Sequence, residues 1–219
     1  MEVVKKYGGD KGVLTDRMVG SGPFRLATWH RGQKIILEKN SDFREAGAVK
    51  IDRAEIDVLK EQQPGWLRFM RGEVDVMGIP KDQFKQAIQI GKELTPEFQK
   101  KGIKLYVEGG VRNAFLIFNL KDSVLKDRKI RQAISSALPR ERFIDLFLNG
   151  RGTKAQGIIP PGVPDRYSGP LKYDFDLARA KALLKESGHE GGKGLPILKI
   201  ELRGSDTLNR QMGDFFVQA

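Results

Sequence analysis

The amino-acid sequence predicts an α/β protein, and three kinds of observation support this. Several short segments alternate apolar and polar residues, as half-buried strands do. Other segments repeat apolar residues at the spacing of one helix face. A glycine pair, Gly109–Gly110, interrupts two adjoining strand-like runs and is the best candidate for a domain boundary.

The half before this glycine pair begins with a predicted β-hairpin. Gly20, Gly22 and Pro23 form a turn, after which Phe24 and Leu26 alternate with polar residues. The elements predicted next are a second hairpin strand over 34–38 after a turn at Gly32, a strand with Ala54, Ile56 and Val58 on one face, a helix with Trp66, Phe69 and Met70 that ends near Gly72, a strand from Val74 to Ile79, a helix over 81–90, and a helix with Thr95 as its N-cap and Pro96 at its first position.

The half after the glycine pair alternates helices with strand-like runs. A Gly- and Pro-rich segment over 150–171 is irregular but carries apolar residues, so we expect it to be packed rather than a free linker. The predicted elements are strand-like runs on both sides of Gly109–Gly110 within 103–120, a helix with Ile130, Ala133, Ile134, Ala137 and Leu138 on its core face, a helix from Pro139 to Gly150 with Phe143, Leu146 and Phe147, a helix with Leu177, Ala180, Leu183 and Leu184 that ends before Gly188, a strand over 195–202, and a helix from Thr207.

The last helix has no C-cap signal, and its apolar residues Met212, Phe215 and Phe216 are expected to be exposed. The start at Met1 has no basic segment followed by an apolar run, so it is not a signal peptide. We therefore expect the chain to be a fragment of a longer protein, and exposed phenylalanines at its end would favour self-association.

Composition leaves a nucleic-acid-binding module open as an alternative. The net charge is +11 and the sequence pI is about 9.8, which would suit an anionic partner. However, the charges are mixed along the chain and no block of five or six like charges appears. The chain has no cysteine, which excludes disulfides and thiolate metal sites, and no apolar run approaches the ~20 residues of a membrane span.

Signals for an enzyme or a metal site are absent from the sequence. His30 and His189 are not at ligand spacing from another histidine. Asp174 and Asp176 stand at a helix start, where capping explains them. The Gly-x-Gly of GSGPF precedes a strand rather than a helix, so it is a turn and not a dinucleotide loop. No serine lies in a nucleophile-elbow context. We expect no catalytic residues and no cofactor.

Four stretches, in order, resemble one known family. They are GSGPFRLATWHRGQKIILEKNSDF, LRFMRGEVDVMGIP, FNLKDSVLKDRKIRQAISSALPRERFIDLFLNGRGTKAQGIIPPG and YDFDLARAKALLKESG. The family is that of the extracellular solute-binding proteins of family 5, the peptide, oligopeptide and nickel receptors of ABC importers. The resemblance covers nearly the whole chain.

The resemblance implies a periplasmic binding protein type II-like fold, two lobes that close on a small solute by hinge motion. Residues 1–108 would be the central part of the first lobe, 109–111 a hinge crossing at Gly109 and Gly110, and 112–219 the N-terminal part of the second lobe. The parent protein would be periplasmic or extracellular and would work with a membrane ABC permease. The fragment alone would lack a complete cleft.

The resemblance also implies candidate ligand-binding residues. Arg112, Asn113 and Phe115, just after the hinge, would face the cleft, and Pro160 lies in a segment that approaches the ligand in some family members. Arg203 is the nearest match to an arginine that receives a ligand carboxylate, a pairing that suits the guanidinium fork. Ser205 stands where an aromatic residue would be expected, which leaves ligand identity open.

The basic helix pair over 125–144 could be mistaken for a nucleic-acid reader. Its apolar spacing instead predicts a scaffold of the second lobe, with its arginines mostly solvated. Arg131 and Gln132 are expected to brace the first helix against the strand that follows the hinge.

Overall fold

The computed structural model describes residues 20–89, 93–108, 110–160, 163–164, 167 and 169–219. The chain divides into two compact units, Met1–Met77 and Gly78–Ala219. Among the helices of the described residues, none has the length and apolarity needed to cross a membrane.

A three-stranded antiparallel sheet organises the described part of the first unit. Its strands are β1 (Phe24–His30), β2 (Lys34–Lys39) and β3 (Arg53–Asp57), in the order β1-β2-β3. The predicted hairpin is therefore confirmed. The β1–β2 turn places Gly32 at φ 73°, a left-handed conformation that glycine adopts without strain. The register shifts between Leu26 and Thr28, which marks a bulge in β1.

Asn40 closes the end of this hairpin. It is buried, its Nδ2 donates to the carbonyl of Gly22 at 2.9 Å, and its Oδ1 accepts from the backbone N–H of Asp42 at 3.1 Å. Its own N–H donates to the carbonyl of Pro23. One amide thus fastens the Gly-Pro turn to the end of β2.

Helix α1 (Gln62–Met70) follows the sheet and buries Trp66. The predicted apolar face of β3 is only partly covered, because Ile56 and Val58 are exposed. On the opposite face of the strand, Asp57 is half-buried, and its carboxylate accepts from the Arg68 guanidinium of α1 at 2.6 Å. An ion pair therefore links that face of β3 to α1.

The second unit is mainly helical in its described residues. The predicted helix over 81–90 is shorter than expected, with one 3-10 turn over Lys81–Gln83 before the first α-helix. The helices are α2 (Phe84–Ala87), α3 (Pro96–Lys100), α4 (Arg128–Ala137), α5 (Arg140–Leu148), α6 (Leu177–Glu186) and α7 (Thr207–Gln218).

Three aspartates cap the longer helices. Asp127, Asp176 and Asp206 each accept a backbone N–H from the first turn of α4, α6 and α7. Thr95 is the N-cap residue of α3 as predicted, but its hydroxyl donates to the carbonyl of Gln86 rather than capping the helix. Asn149 in the left-handed conformation ends α5.

Helices α4 and α6 pack against each other and bury Ile130, Ala133 and Ala180. The predicted core spacing of α4 is confirmed at these positions. Small residues at the contact let the helix backbones approach closely. The backbone N–H of Asp176 donates to the carbonyl of Ser136 at 2.8 Å, so the start of α6 is also fastened to the end of α4.

A phenylalanine cluster joins α5 to α7. Phe143 stacks on Phe216 with ring centroids 5.3 Å apart, and Phe147 meets Phe215 edge-on at 5.6 Å. The prediction that Phe215 and Phe216 are exposed is wrong, because both are half-buried against α5. Aromatic side chains bury enough area for four of them to dock a terminal helix.

The strands predicted over 74–79, 103–120 and 195–202 do not form, although nearly all of these residues are described. Val76, Ile117 and Ile197 are 85%, 83% and 93% exposed. The reason is that a strand needs a hydrogen-bonded neighbour, whereas alternation in the sequence indicates only which face could be buried.

Candidate functional site

The segment after the glycine pair contacts the Gly- and Pro-rich segment through one side chain. The Nδ2 of Asn113 donates to the carbonyl of Gly157 at 3.0 Å and to that of Ile158 at 2.7 Å. Both acceptors lie two or three residues before Pro160. The structure therefore brings Asn113 and the predicted ligand-approaching segment together.

The neighbours of Asn113 are open to solvent. Phe115 is 69% exposed and Ile158 is 91% exposed, while Pro160 is half-buried. Arg112 is exposed, and its guanidinium has no ion-pair or hydrogen-bond partner among the described residues. Gly110 is described, whereas Gly109, the other predicted hinge glycine, lies outside the described residues.

The loop before α7 holds the other two predicted site residues. Arg203 is exposed, and within the described ranges its side chain has no partner. Ser205 is exposed too, and its carbonyl accepts from Arg210 Nη1 at 2.5 Å. No hydrogen bond among the described residues joins this loop to residues 110–115 or 157–160. The structure thus unites part of the predicted set and leaves Arg203 and Ser205 separate.

A lysine that the sequence reasoning missed fastens the irregular segment to two helices. Lys154 Nζ lies 2.9 Å from Glu141 Oε1 of α5 and 2.8 Å from Asp174 Oδ2, just before α6. The hydrogen bond to Asp174 raises the pKa of Lys154, and the same bond lowers the pKa of Asp174. Gln156 Nε2 also donates to the carbonyl of Gly169 at 2.8 Å. The expectation that this segment is held rather than free is consistent with these contacts.

Two side chains of α4, Arg131 and Gln132, hydrogen-bond to neighbouring segments. Arg131 Nη1 donates to the carbonyls of Leu125 and Lys126, both at 2.8 Å, and Gln132 Nε2 donates to the Tyr173 hydroxyl at 2.9 Å. The prediction that these two side chains brace α4 against the strand after the hinge is wrong. They hold α4 to the turn before it and to the segment that leads into α6.

Arg140 is likewise not simply solvated. Its guanidinium donates to the carbonyl of Ser135 at 2.9 Å and to the hydroxyl of Ser135 at 2.8 Å. Burial lowers the pKa of Arg140. An arginine that the pattern placed at the solvent surface therefore connects the end of α4 to the start of α5.

Charges of the first unit form a continuous ion-pair network on β2, β3 and α1. Lys34 Nζ lies 2.6 Å from Glu55 Oε2 and 3.5 Å from Asp57 Oδ1, and Arg68 bonds Asp57 at 2.6 Å and Glu73 at 3.3 Å. Hydrogen bonds from Lys34, Arg68 and Arg71 lower the pKa values of Glu55, Asp57 and Glu73 respectively. Lys34, Arg68 and Arg71 are thus paired with carboxylates of the same unit.

His189, Asp174 and Asp176, considered as candidate ligands, have partners among the described residues. The described residues contain no group of three or more metal-liganding side chains, and His189 Nδ1 lies 3.0 Å from the carbonyl of Lys193, a local contact. Asp176 is a helix cap and Asp174 an ion-pair partner. The predicted site residues thus comprise two exposed arginines, an exposed aromatic side chain and a loop that the amide of Asn113 fastens.

Comparison with known proteins identifies relatives across almost the entire chain. The family model for bacterial extracellular solute-binding proteins, family 5 (middle part), matches residues 2–219. The oligopeptide-binding protein AppA of Bacillus subtilis is 27% identical over 202 residues, which cover 90% of this chain and 35% of AppA. The glutathione-binding protein GsiB of Salmonella paratyphi A is 25% identical over 192 residues, 87% of this chain and 35% of GsiB. This chain thus spans about a third of the length of these relatives.

Comparison with solved structures finds proteins of the same kind. The periplasmic oligopeptide-binding protein OppAIV of Borrelia burgdorferi matches 99% of this chain and 41% of its own, with a TM-score of 0.79 and 27% identity. NikA of Brucella suis, solved with Fe(III)-EDTA, matches 90% of this chain and 40% of its own at 23% identity, with a TM-score of 0.66, and so shows likeness of fold. The α/β architecture predicted from the sequence is that of these binding proteins.

Proposed function

This chain belongs to the bacterial extracellular solute-binding proteins of family 5, and we propose that it is the central part of a two-lobed receptor that delivers peptides or similar small solutes to an ABC importer. The observation that carries the proposal is the family match over residues 2–219. The complete receptor would be periplasmic or extracellular, would work with a membrane permease and would not be an enzyme. The lobes would be 1–108 and 112–219, joined by a crossing at 109–111.

Binding would use the exposed side chains on both sides of the amide-fastened loop. Arg112, Phe115 and Pro160 would line the second-lobe wall of the cleft, together with Oδ1 of Asn113, which accepts no hydrogen bond within the described ranges. Arg203 would receive a ligand carboxylate, because its guanidinium is exposed and has no partner among the described residues. Ser205, a small residue, would leave room for varied ligand side chains.

A matched pair of arginines tests this assignment. Arg142 on α5 also has no partner in the described part of the chain, but it lies on a scaffold helix. In the complete receptor, Arg203→Ala should weaken peptide binding about 10- to 100-fold by calorimetry, the range of a lost hydrogen bond to a charged group. Arg142→Ala should leave affinity unchanged, and peptides with an amidated C-terminus should not distinguish the two variants.

Three results would contradict the proposal. They are binding of no peptide or small solute by the complete receptor, equal losses from Arg203→Ala and Arg142→Ala, and affinity of the 219-residue chain equal to that of the complete receptor. The last result would show that this chain alone holds a complete cleft.

The nucleic-acid alternative receives less support than it did from composition. Two arginines of the basic helix pair that motivated it, Arg131 and Arg140, bond carbonyls. It would still predict retention on DNA that weakens steeply with salt, because phosphate contacts release counterions. We expect no salt-dependent retention above that of a protein of similar net charge.

A further inference from the structure

We infer that Asn113 is a positioning residue, a tether that fastens the loop carrying Ile158 and Pro160 to the segment that follows the glycine pair. Only the role of this loop beside a bound ligand rests on the proposed function. The tether itself is a statement about this chain, and it can be tested without any ligand.

The side-chain amide of Asn113 bonds a distant segment twice. Its Nδ2 bears two hydrogens and has two carbonyl acceptors, at 3.0 Å and 2.7 Å, more than 40 residues away in sequence. Asn119 makes a useful comparison, since its Oδ1 accepts only from the backbone N–H of Lys121 at 3.1 Å. Asn113 thus bonds a distant segment, whereas Asn119 bonds its own turn.

Residues 157–158 gain from such a fastening, although Lys154 and Gln156 hold the chain just before them. Ile158 and Ile159 are 91% and 50% exposed, so apolar burial does not fix their backbone. In the described residues around them, no strand or helix supplies ladder hydrogen bonds. The two bonds from Asn113 therefore help to fix where residues 157–158 lie.

The function of the tether follows from which segments it joins. In the proposed receptor, residues just after the crossing turn with the second lobe when the hinge closes. A loop bound to that segment moves with it as one body, and Ile158 and Pro160 keep their position relative to Arg112 and Phe115. The amide donors of Asn113 are then unavailable to a ligand, whereas its Oδ1 accepts no hydrogen bond from the described residues.

Protease cleavage at the loop tests the tether directly. Proteases hydrogen-bond the substrate backbone, and the carbonyls of Gly157 and Ile158 are withheld while Asn113 holds them. Thermolysin cleaves before large apolar residues, so the bonds before Ile158 and Ile159 should be cut about 5- to 30-fold faster in Asn113→Ala, the range expected for one or two lost hydrogen bonds. Cleavage before Ile197, which is 93% exposed, is the internal reference and should not change.

Two further variants and one spectrum sharpen the test. Asn113→Asp keeps the shape but removes both donors, and should accelerate cleavage at least as much. Asn119→Ala should have no effect on the loop. In wild-type protein, both side-chain amide protons of Asn113 should exchange with solvent at least fivefold more slowly than those of Asn119, measured by NMR.

The outcomes separate this inference from the proposed function. Cleavage at the wild-type rate in both Asn113 variants, or equal exchange at Asn113 and Asn119, would overturn the tether whatever the receptor binds. A loop that opens in Asn113→Ala within a complete receptor that binds no peptide or small solute would confirm the tether and refute the proposed function. Where both hold, the complete receptor should also lose affinity about 5- to 30-fold on Asn113→Ala, through faster ligand release.

Discussion

Replacing either of two adjacent serines at the end of α4 by alanine should change the stability of the protein, but in opposite directions. Ser136 is fully buried, with 0% of its surface exposed, and its Oγ has no hydrogen-bond partner in the part of the chain that the structure describes. Ser135 is half-buried, and its Oγ accepts from Arg140 Nη2 at 2.8 Å. The two substitutions remove the same atoms from neighbouring positions in one helix, so helix propensity affects both equally.

The magnitudes follow from what each hydroxyl does. A buried hydroxyl without a partner costs about 1–3 kcal/mol, and alanine is the better helix former by about 0.5 kcal/mol, so Ser136→Ala should raise the free energy of unfolding by about 1–2 kcal/mol. Ser135→Ala removes a bond to a partly desolvated cation, worth about 1.5 kcal/mol. Arg140 keeps its bond to the carbonyl of Ser135, so the net loss should be about 0.5–1 kcal/mol.

Urea unfolding followed at 222 nm measures both changes, because helices α2–α7 belong to the second unit. Both tryptophans, Trp29 and Trp66, lie in the first unit, so their fluorescence is an internal control that should not shift. A loss of stability in Ser136→Ala, or a gain in Ser135→Ala, would refute the reasoning about partners.

Two more predictions use the same assays. Phe147→Ala should lower the free energy of unfolding of the second unit by about 3–5 kcal/mol, because removal of a phenylalanine that is 7% exposed leaves a cavity between α5 and α7. The variant should also self-associate more in sedimentation experiments, because Phe215 is uncovered. The control Leu146→Ala, at a residue 44% exposed, should lower the free energy of unfolding by under about 1.5 kcal/mol, and equal losses would contradict the docking of α7. The stability of the first unit, measured by tryptophan fluorescence, should be constant above pH ~5 and should fall as the pH drops through ~4 and below. The reason is that the ion pairs lower the folded-state pKa values of Glu55, Asp57 and Glu73, so the stability they give is lost as these carboxylates are protonated. A urea midpoint that does not change between pH ~6 and ~3 would contradict the network.

Local signals in the sequence predicted local structure well. The hairpin turn at Gly32, the cap at Asp176 and the core face of α4 each depend on a few neighbouring residues, and each is confirmed. Glycine at positive φ, a carboxylate beside free N–H groups and apolar residues at helical spacing act within one or two turns of chain.

Contacts between distant segments could not be predicted in the same way. Alternation over 195–202 indicates a strand but does not name its neighbour, and Ile197 is 93% exposed. Lys154 gave no signal because a lone lysine among glycines has no pattern, and its partners lie 13 and 20 positions away. For Asn113 the resemblance indicated a place near the ligand. The two carbonyls to which it donates lie in a distant segment, so only the folded structure reveals them.

The positive charge that first favoured nucleic acid has a structural use in the second unit. Carbonyls at helix ends and in irregular segments lack ladder partners, and a buried carbonyl left without a donor is costly. Long cationic and amide side chains can reach such carbonyls from a neighbouring segment, as Arg131, Arg140 and Asn113 do. A chain rich in irregular connections therefore benefits from many donors. Exposed cations that have no partner among the described residues, such as Arg112 and Arg203, are then the better guide to where an anionic ligand group would bind.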